Sequence, residues 1–161
     1  MSERGALQGK PSRPPSPEER AFLDLVRTTD MLSRHPAQVL KGEDLSMTQY
    51  NVLRILRGAG GDGLICGEIA DRMITRDPDI TRLLDRLEGR GLISRSREGP
   101  DRRMVLTRIS PTGLELLARL DRPVEEAHRG QLGHLGRERL RQLGELLEFC
   151  RSRLASMKQE P

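Results

Sequence analysis

The sequence predicts a mainly α-helical fold carrying one small β-hairpin. Leucines and isoleucines recur at helical spacing along most of the chain, and one pair of short β-like runs, LISRSR and MVLTRI, breaks that rhythm. A further observation sets the scale. The 161 residues suit one compact domain, yet only 35% are hydrophobic against 32% charged, which is thin material for a self-sufficient core. Association with a second copy would supply the missing burial.

Residues 1–17, MSERGALQGKPSRPPSP, lack periodicity and are rich in Pro, Ser and Gly, the composition of a disordered tail; the folded domain is expected over 18–161. Phe22, Leu25, Val26, Thr29 and Leu32 then share a helical face, with Ser16 as cap and Pro17 as first residue. That helix is expected to end near His35-Pro36. Leu53, Ile55 and Leu56 predict a helix from about Thr48 to the glycines after Arg57, and CGEIADRM a second, with Ile69, Ala70 and Met73 inward. Asp77-Pro78 supplies a cap and first residue for a third, in which Ile80, Leu83, Leu84 and Leu87 repeat at i, i+3, i+4 and i+7. It closes at Gly89 or Gly91.

The runs LISRSR and MVLTRI, separated by EGPDRR, form the hairpin. Ser110-Pro111 restarts a helix through Leu114, Leu117 and Leu120, expected to be interrupted at Pro123. In the last helix Leu140, Leu143, Leu147, Cys150, Leu154 and Met157 make a heptad seam. Such a seam suits a dimer interface; docking on its own domain is the competing reading.

Helix, turn, helix and hairpin in this order make a winged helix-turn-helix over about 46–110, flanked by candidate dimerisation helices over about 18–35 and 111–157. In that arrangement the second helix of the motif enters the DNA major groove. With its leucines inward, it turns Arg82, Asp85, Thr81 and Arg86 outward. Arg82 can address guanine bidentately, Thr81 is a second contact, and Arg86 lies beside them. Surface ion pairs among Arg82, Asp85 and Arg86 are the plainer alternative. The hairpin tip can lie along the minor groove, where arginine is favoured. There Asp101 can hold Arg103, while Arg95, Arg97 and Arg102 are expected on phosphates. Between Arg90 and Arg108 six arginines face two acids, so this stretch alone carries +4, the net charge of the whole chain.

QYNVLRIL, GEIADRM, DITRLLDRLEGRGLI and DRRMVLTRISPTG, in that order, resemble the multiple antibiotic resistance regulator (MarR) family of bacterial transcription factors. The resemblance spans about Glu18 to Met157. It implies a homodimer binding double-stranded DNA at a pseudo-palindromic operator, with Asp101 and Arg103 as the wing pair. It further implies repression relieved by a small, often phenolic, effector near the junction of the two regions, for which Phe22 and Tyr50 are candidate lining. Ile65 departs from the helix-capping Thr or Ser of that pattern. Some such regulators sense oxidants through cysteine, but neither Cys66 nor Cys150 lies in the N-terminal helix, where the family's best-known peroxide sensors keep theirs.

Other classes find less support. No apolar run approaches the roughly 18 residues of a membrane span, and a cytoplasmic protein without membrane contact is expected. Cys66 and Cys150 are far apart, and His35, His128 and His134 lack ligand spacing, so neither zinc nor any other cofactor is expected. Gly58 to Gly63 satisfies G-x-G-x-x-G by letter but follows a helix rather than a strand, so it reads as a flexible loop and not a nucleotide site. No catalytic constellation is present, and an enzyme is not expected. Phe22, Tyr50 and Phe149 are the only aromatics and none lies in the basic stretch, which disfavours single-stranded RNA. A winged-helix module meeting an acidic protein is the remaining alternative.

Overall fold

The computed structural model describes residues 13–75, 77–97 and 104–157. Among the described residues, six α-helices and two strands follow one another as α1 (Pro17–Lys41), α2 (Met47–Ala59), α3 (Cys66–Arg72), α4 (Ile80–Gly89), β1 (Ile93–Ser96), β2 (Leu106–Ile109), α5 (Pro111–Leu132) and α6 (Gly136–Met157). The mainly helical fold with a β-hairpin is therefore as expected. Residues 1–12 of the expected tail and the tip carrying Asp101, Arg102 and Arg103 lie outside the described residues. No described helix is long and apolar enough to cross a membrane.

Helix α1 starts as expected, with Ser16 Oγ accepting from the Glu19 amide, but runs to Lys41 straight through Pro36. A proline in mid-helix removes the donor that would reach the carbonyl four residues back. That carbonyl belongs to Leu32, and the Gln131 side-chain amide of α5 donates to it instead at 3.1 Å. Pro36 itself is fully buried, so packing against α5 compensates the lost bond. Pro123 likewise fails to interrupt α5, because Leu120, Val124 and Ala127 on either side of it are buried.

The core joins Val52, Leu53 and Leu56 of α2, Ile69 of α3, Leu84 and Leu87 of α4, and Leu117 of α5. Helix α2 opens with a reciprocal cap between Ser46 and Gln49. Helix α3 has half of one: Glu68 accepts from the Ile65 amide at 3.0 Å, while the Ile65 side chain offers no acceptor. The start of α4 is two residues later than the Asp77-Pro78 signal implied. Asp77 Oδ1 accepts from the Asp79 amide in a preceding turn, and Asp79 is the cap, accepting from the Arg82 amide.

Antiparallel β1 and β2 pair Ile93 with Ile109 through Ser96 with Leu106. The glycine loop expected to be flexible is pinned to β2. Leu64 bridges Thr107, and Arg108 Nε donates to the Gly61 carbonyl at 2.7 Å. At the other end of the hairpin, Ser110 Oγ donates to the Gly91 carbonyl at 2.6 Å and accepts from the Gly113 amide. A Cβ on Gly113 would overlap the Leu92 carbonyl and the Ile109 side chain. This close approach accounts for the Ser-Pro-x-Gly sequence. Gly113→Ala is expected to destabilise the fold by about 1–3 kcal/mol, read as a lowered midpoint in urea unfolding.

Candidate nucleic-acid interface and adjoining cavity

Helix α4 divides its faces as its periodicity dictates. Leu83, Leu84 and Leu87 are buried and Ile80 is half-buried, while Thr81, Arg82, Asp85 and Arg86 are exposed. The Arg82 side chain is 74% exposed and lies 3.4 Å from its cap Asp79, a pairing that solvent screens and that a stronger acceptor can displace. The ion pairs weighed among Arg82, Asp85 and Arg86 are not the ones that form.

Arg95 corrects an expectation. Instead of being free for phosphate, its guanidinium lies on α4: Nε donates to Glu88 Oε2 at 2.8 Å, and Nη2 reaches both Glu88 and Asp85. The Arg95 amide also donates to Glu88 Oε1. Hydrogen bonds from Arg95 hold the Glu88 carboxyl below its ordinary pKa. The hairpin is thereby clamped to α4. Arg97 is exposed just beyond β1. Two arginines that frame the hairpin also serve the fold: Arg90 donates to the Asp44 and Glu43 carbonyls, and Arg108 donates to Gly61 and Ser96.

Behind this surface a cavity of about 200 Å³ opens between α2, α5 and the connection from α3 to α4. Met47, Tyr50, Ile74 and Val124 give it apolar walls, and Arg54 and His128 give it polar ones. The Arg54 guanidinium stands 5.8 Å from the centre of the Tyr50 ring, within cation–π range. Burial raises the Tyr50 pKa above its ordinary value, so the hydroxyl is protonated at neutral pH. Asn51, also in the wall, accepts from the Ile74 amide at 2.9 Å and ties the approach to α4 onto α2.

Of the two residues expected to line an effector site, Tyr50 lies in the wall of this cavity, whereas Phe22 is 63% exposed on α1 and outside the cavity's lining. Arg54 and His128 were missed. The spacing of Met47, Tyr50 and Arg54 along one helix face was the available signal for α2; His128 needed the crossing of α5, which the sequence does not give.

On α6, Leu140 and Leu147 are half-buried, Leu143, Cys150 and Leu154 are exposed, and no residue is buried. The competing reading, a helix docked on its own domain, is not what is observed. Phe22, Val26 and Met31 of α1 are exposed as well. Cys66 is half-buried against the core at the start of α3. Among the described residues no group of three or more His, Cys, Asp or Glu side chains is placed to hold a metal.

A sequence profile of the MarR family matches residues 45–105. A MarR transcription factor from Planctomyces limnophilus is 41% identical in sequence, and its crystal structure matches 85% of this chain and 99% of its own length at a TM-score of 0.65. The homoprotocatechuate degradative operon repressor of Escherichia coli is 29% identical over 126 residues, 78% of this chain and 84% of that protein. The crystal structure of the S. aureus MepR-DNA complex shares the fold at a TM-score of 0.73 and 23% identity, over 82% of this chain and 96% of that one.

The region also rests on a fork from Arg57 of α2 to Asp121 of α5, at 2.8 and 2.9 Å. Hydrogen bonding from Arg57 lowers the Asp121 pKa, so the pair stabilises the fold above the ordinary carboxylate value and is lost as pH falls through the lowered one. Both side chains are partly exposed, which limits the contribution to about 1 kcal/mol or less. Asp121→Asn is expected to lower the urea midpoint slightly at pH 7. That difference should shrink as pH falls below the ordinary aspartate range and vanish once native Asp121 is itself protonated, at a pH below its ordinary pKa.

Proposed function

Because the chain belongs to the MarR family of transcriptional regulators, we propose that it binds double-stranded operator DNA as a homodimer and lets go when a small aromatic effector fills the cavity. The observation that carries this reading is α4 itself. Its leucines are buried, Thr81, Arg82 and Arg86 are exposed, and a hairpin is clamped beside it. Such a helix can enter a major groove while the wing follows the neighbouring backbone. The MepR-DNA complex, built on the same fold, supports that mode of binding.

Arg82 and Thr81 are assigned to base edges, Arg86 and Arg97 to phosphates, and the wing-tip residues Asp101, Arg102 and Arg103 to the adjacent minor groove. Arg95 acts by fixing the wing rather than by touching DNA. The unsatisfied apolar faces of α1 and α6 support dimerisation, with Leu140, Leu143, Leu147, Cys150 and Leu154 along one of them. Two-fold symmetry then calls for two half-sites about one helical turn apart.

The cavity supports the effector half of the proposal. Apolar walls that include Tyr50 and Val124 suit a small aromatic ring, and Arg54 and His128 offer it polar anchors. Its wall includes Ile74, in the segment leading to α4, so filling it bears on the placement of that helix. Repression is the sign supported by the Escherichia coli relative, which is itself a repressor.

Fluorescence-anisotropy titration with duplex from upstream of the gene, and with scrambled duplex, at two salt concentrations tests the reading. Tight, salt-sensitive binding to the upstream duplex is expected, and the absence of binding to any duplex at low salt would move the assignment to a protein-contact module. Arg82→Ala should weaken specific binding by about 1–3 kcal/mol. Arg103→Ala should weaken it strongly while sedimentation still reports a dimer; an unchanged affinity removes Arg103 from the interface.

A further inference from the structure

A carboxylate on the DNA-facing side of a recognition helix is costly next to phosphates unless something neutralises it or uses it. Asp85 is such a carboxylate. It lies three residues after Arg82 on the exposed face of α4, and its side chain is 52% exposed. One of its oxygens, Oδ1, accepts from Arg95 Nη2 at 2.6 Å, and the other has no partner among the described residues. Arg95 is itself held at a second point by Glu88, and only 25% of its side chain is exposed. The pairing reaches from the wing to α4 and fixes the Asp85 rotamer, while the one guanidinium, shared with Glu88, offsets only part of the charge on the two carboxylates.

Resting on the reading of α4 as the recognition helix, we infer that Asp85 is a specificity-determining residue that accepts a hydrogen bond from the exocyclic amino group of a cytosine. Carboxylates read cytosine N4 in the major groove because that group is the donor which the pair's guanine edge lacks. Three residues of helix advance about 4.5 Å, close to one base-pair step beyond the base addressed by Arg82. A guanine reader followed by a cytosine reader is the resulting pattern in each half-site. Arg95 positions the carboxylate and lessens its repulsion of the backbone.

The test is selection from a randomised duplex pool with the native protein, Asp85→Ala and Asp85→Asn, followed by competition titrations on the selected site and its single-base variants. The native protein is expected to enrich a symmetric motif with one C·G pair fixed in each half-site, next to the position lost in Arg82→Ala. Asp85→Ala should keep the rest of the motif and lose roughly tenfold discrimination at that pair alone. Asp85→Asn, which preserves shape, should move the preference towards adenine, since an amide both donates and accepts. Glu88 still holds Arg95 in both variants, so the wing stays in place, and equal thermal midpoints check this. An unchanged motif in both variants overturns the inference, as does a uniform loss at every position, the signature of a brace rather than a reader. Failure of the native protein to enrich any motif overturns the DNA-binding reading and this inference with it.

Discussion

The hairpin, and the placement of α4 beside it, depend on one close approach, that of Gly113 to the Leu92 carbonyl. The first turn of α5 can sit against the start of the hairpin only because position 113 has no side chain. Ser110 completes the joint by bonding both the Gly91 carbonyl and the Gly113 amide. The chain therefore leaves α4, makes the hairpin and returns into α5 within a fixed geometry. The orientation of α4 follows from it, because β1 begins four residues after that helix ends.

The basic stretch that dominates the sequence is less uniform than its charge implies. Arg90, Arg95 and Arg108 each bind groups of this chain, two backbone carbonyls, two carboxylates, and a carbonyl with a hydroxyl. They assemble the surface on which Arg82, Arg86 and Arg97 stand exposed. Counting arginines locates the region. Only the acceptors around each one distinguish construction from recognition, and these come from distant segments such as Glu43 and Gly61.

What was legible in the sequence follows the same division. The 3.6-residue period identified the apolar faces of α2, α3 and α4, and the buried set Leu83, Leu84 and Leu87 is the one the spacing demanded. The Ser16 cap and the hairpin were also legible, because their signals are local. Pro36 and Pro123 were misread as helix ends, since tertiary burial outweighed a single missing hydrogen bond at each. Asp79 displaced Asp77 as the cap of α4 because a turn intervened, which is a matter of backbone geometry rather than residue type. Arg95 and the cavity were illegible for a different reason: the first depends on how the short turn after α4 folds β1 back onto that helix, and the second needs α2 and α5, far apart in sequence, to be set side by side.

The bond from Gln131 to the Leu32 carbonyl has a mechanical meaning as well. Proline opened one unoccupied acceptor on α1, at the single level where its ladder skips a rung, and a side chain of α5 fills it. The two helices are thus indexed to each other, like a pawl resting in one notch. Sliding α1 along α5 would draw the amide off its only matching carbonyl, so gradual shear is resisted.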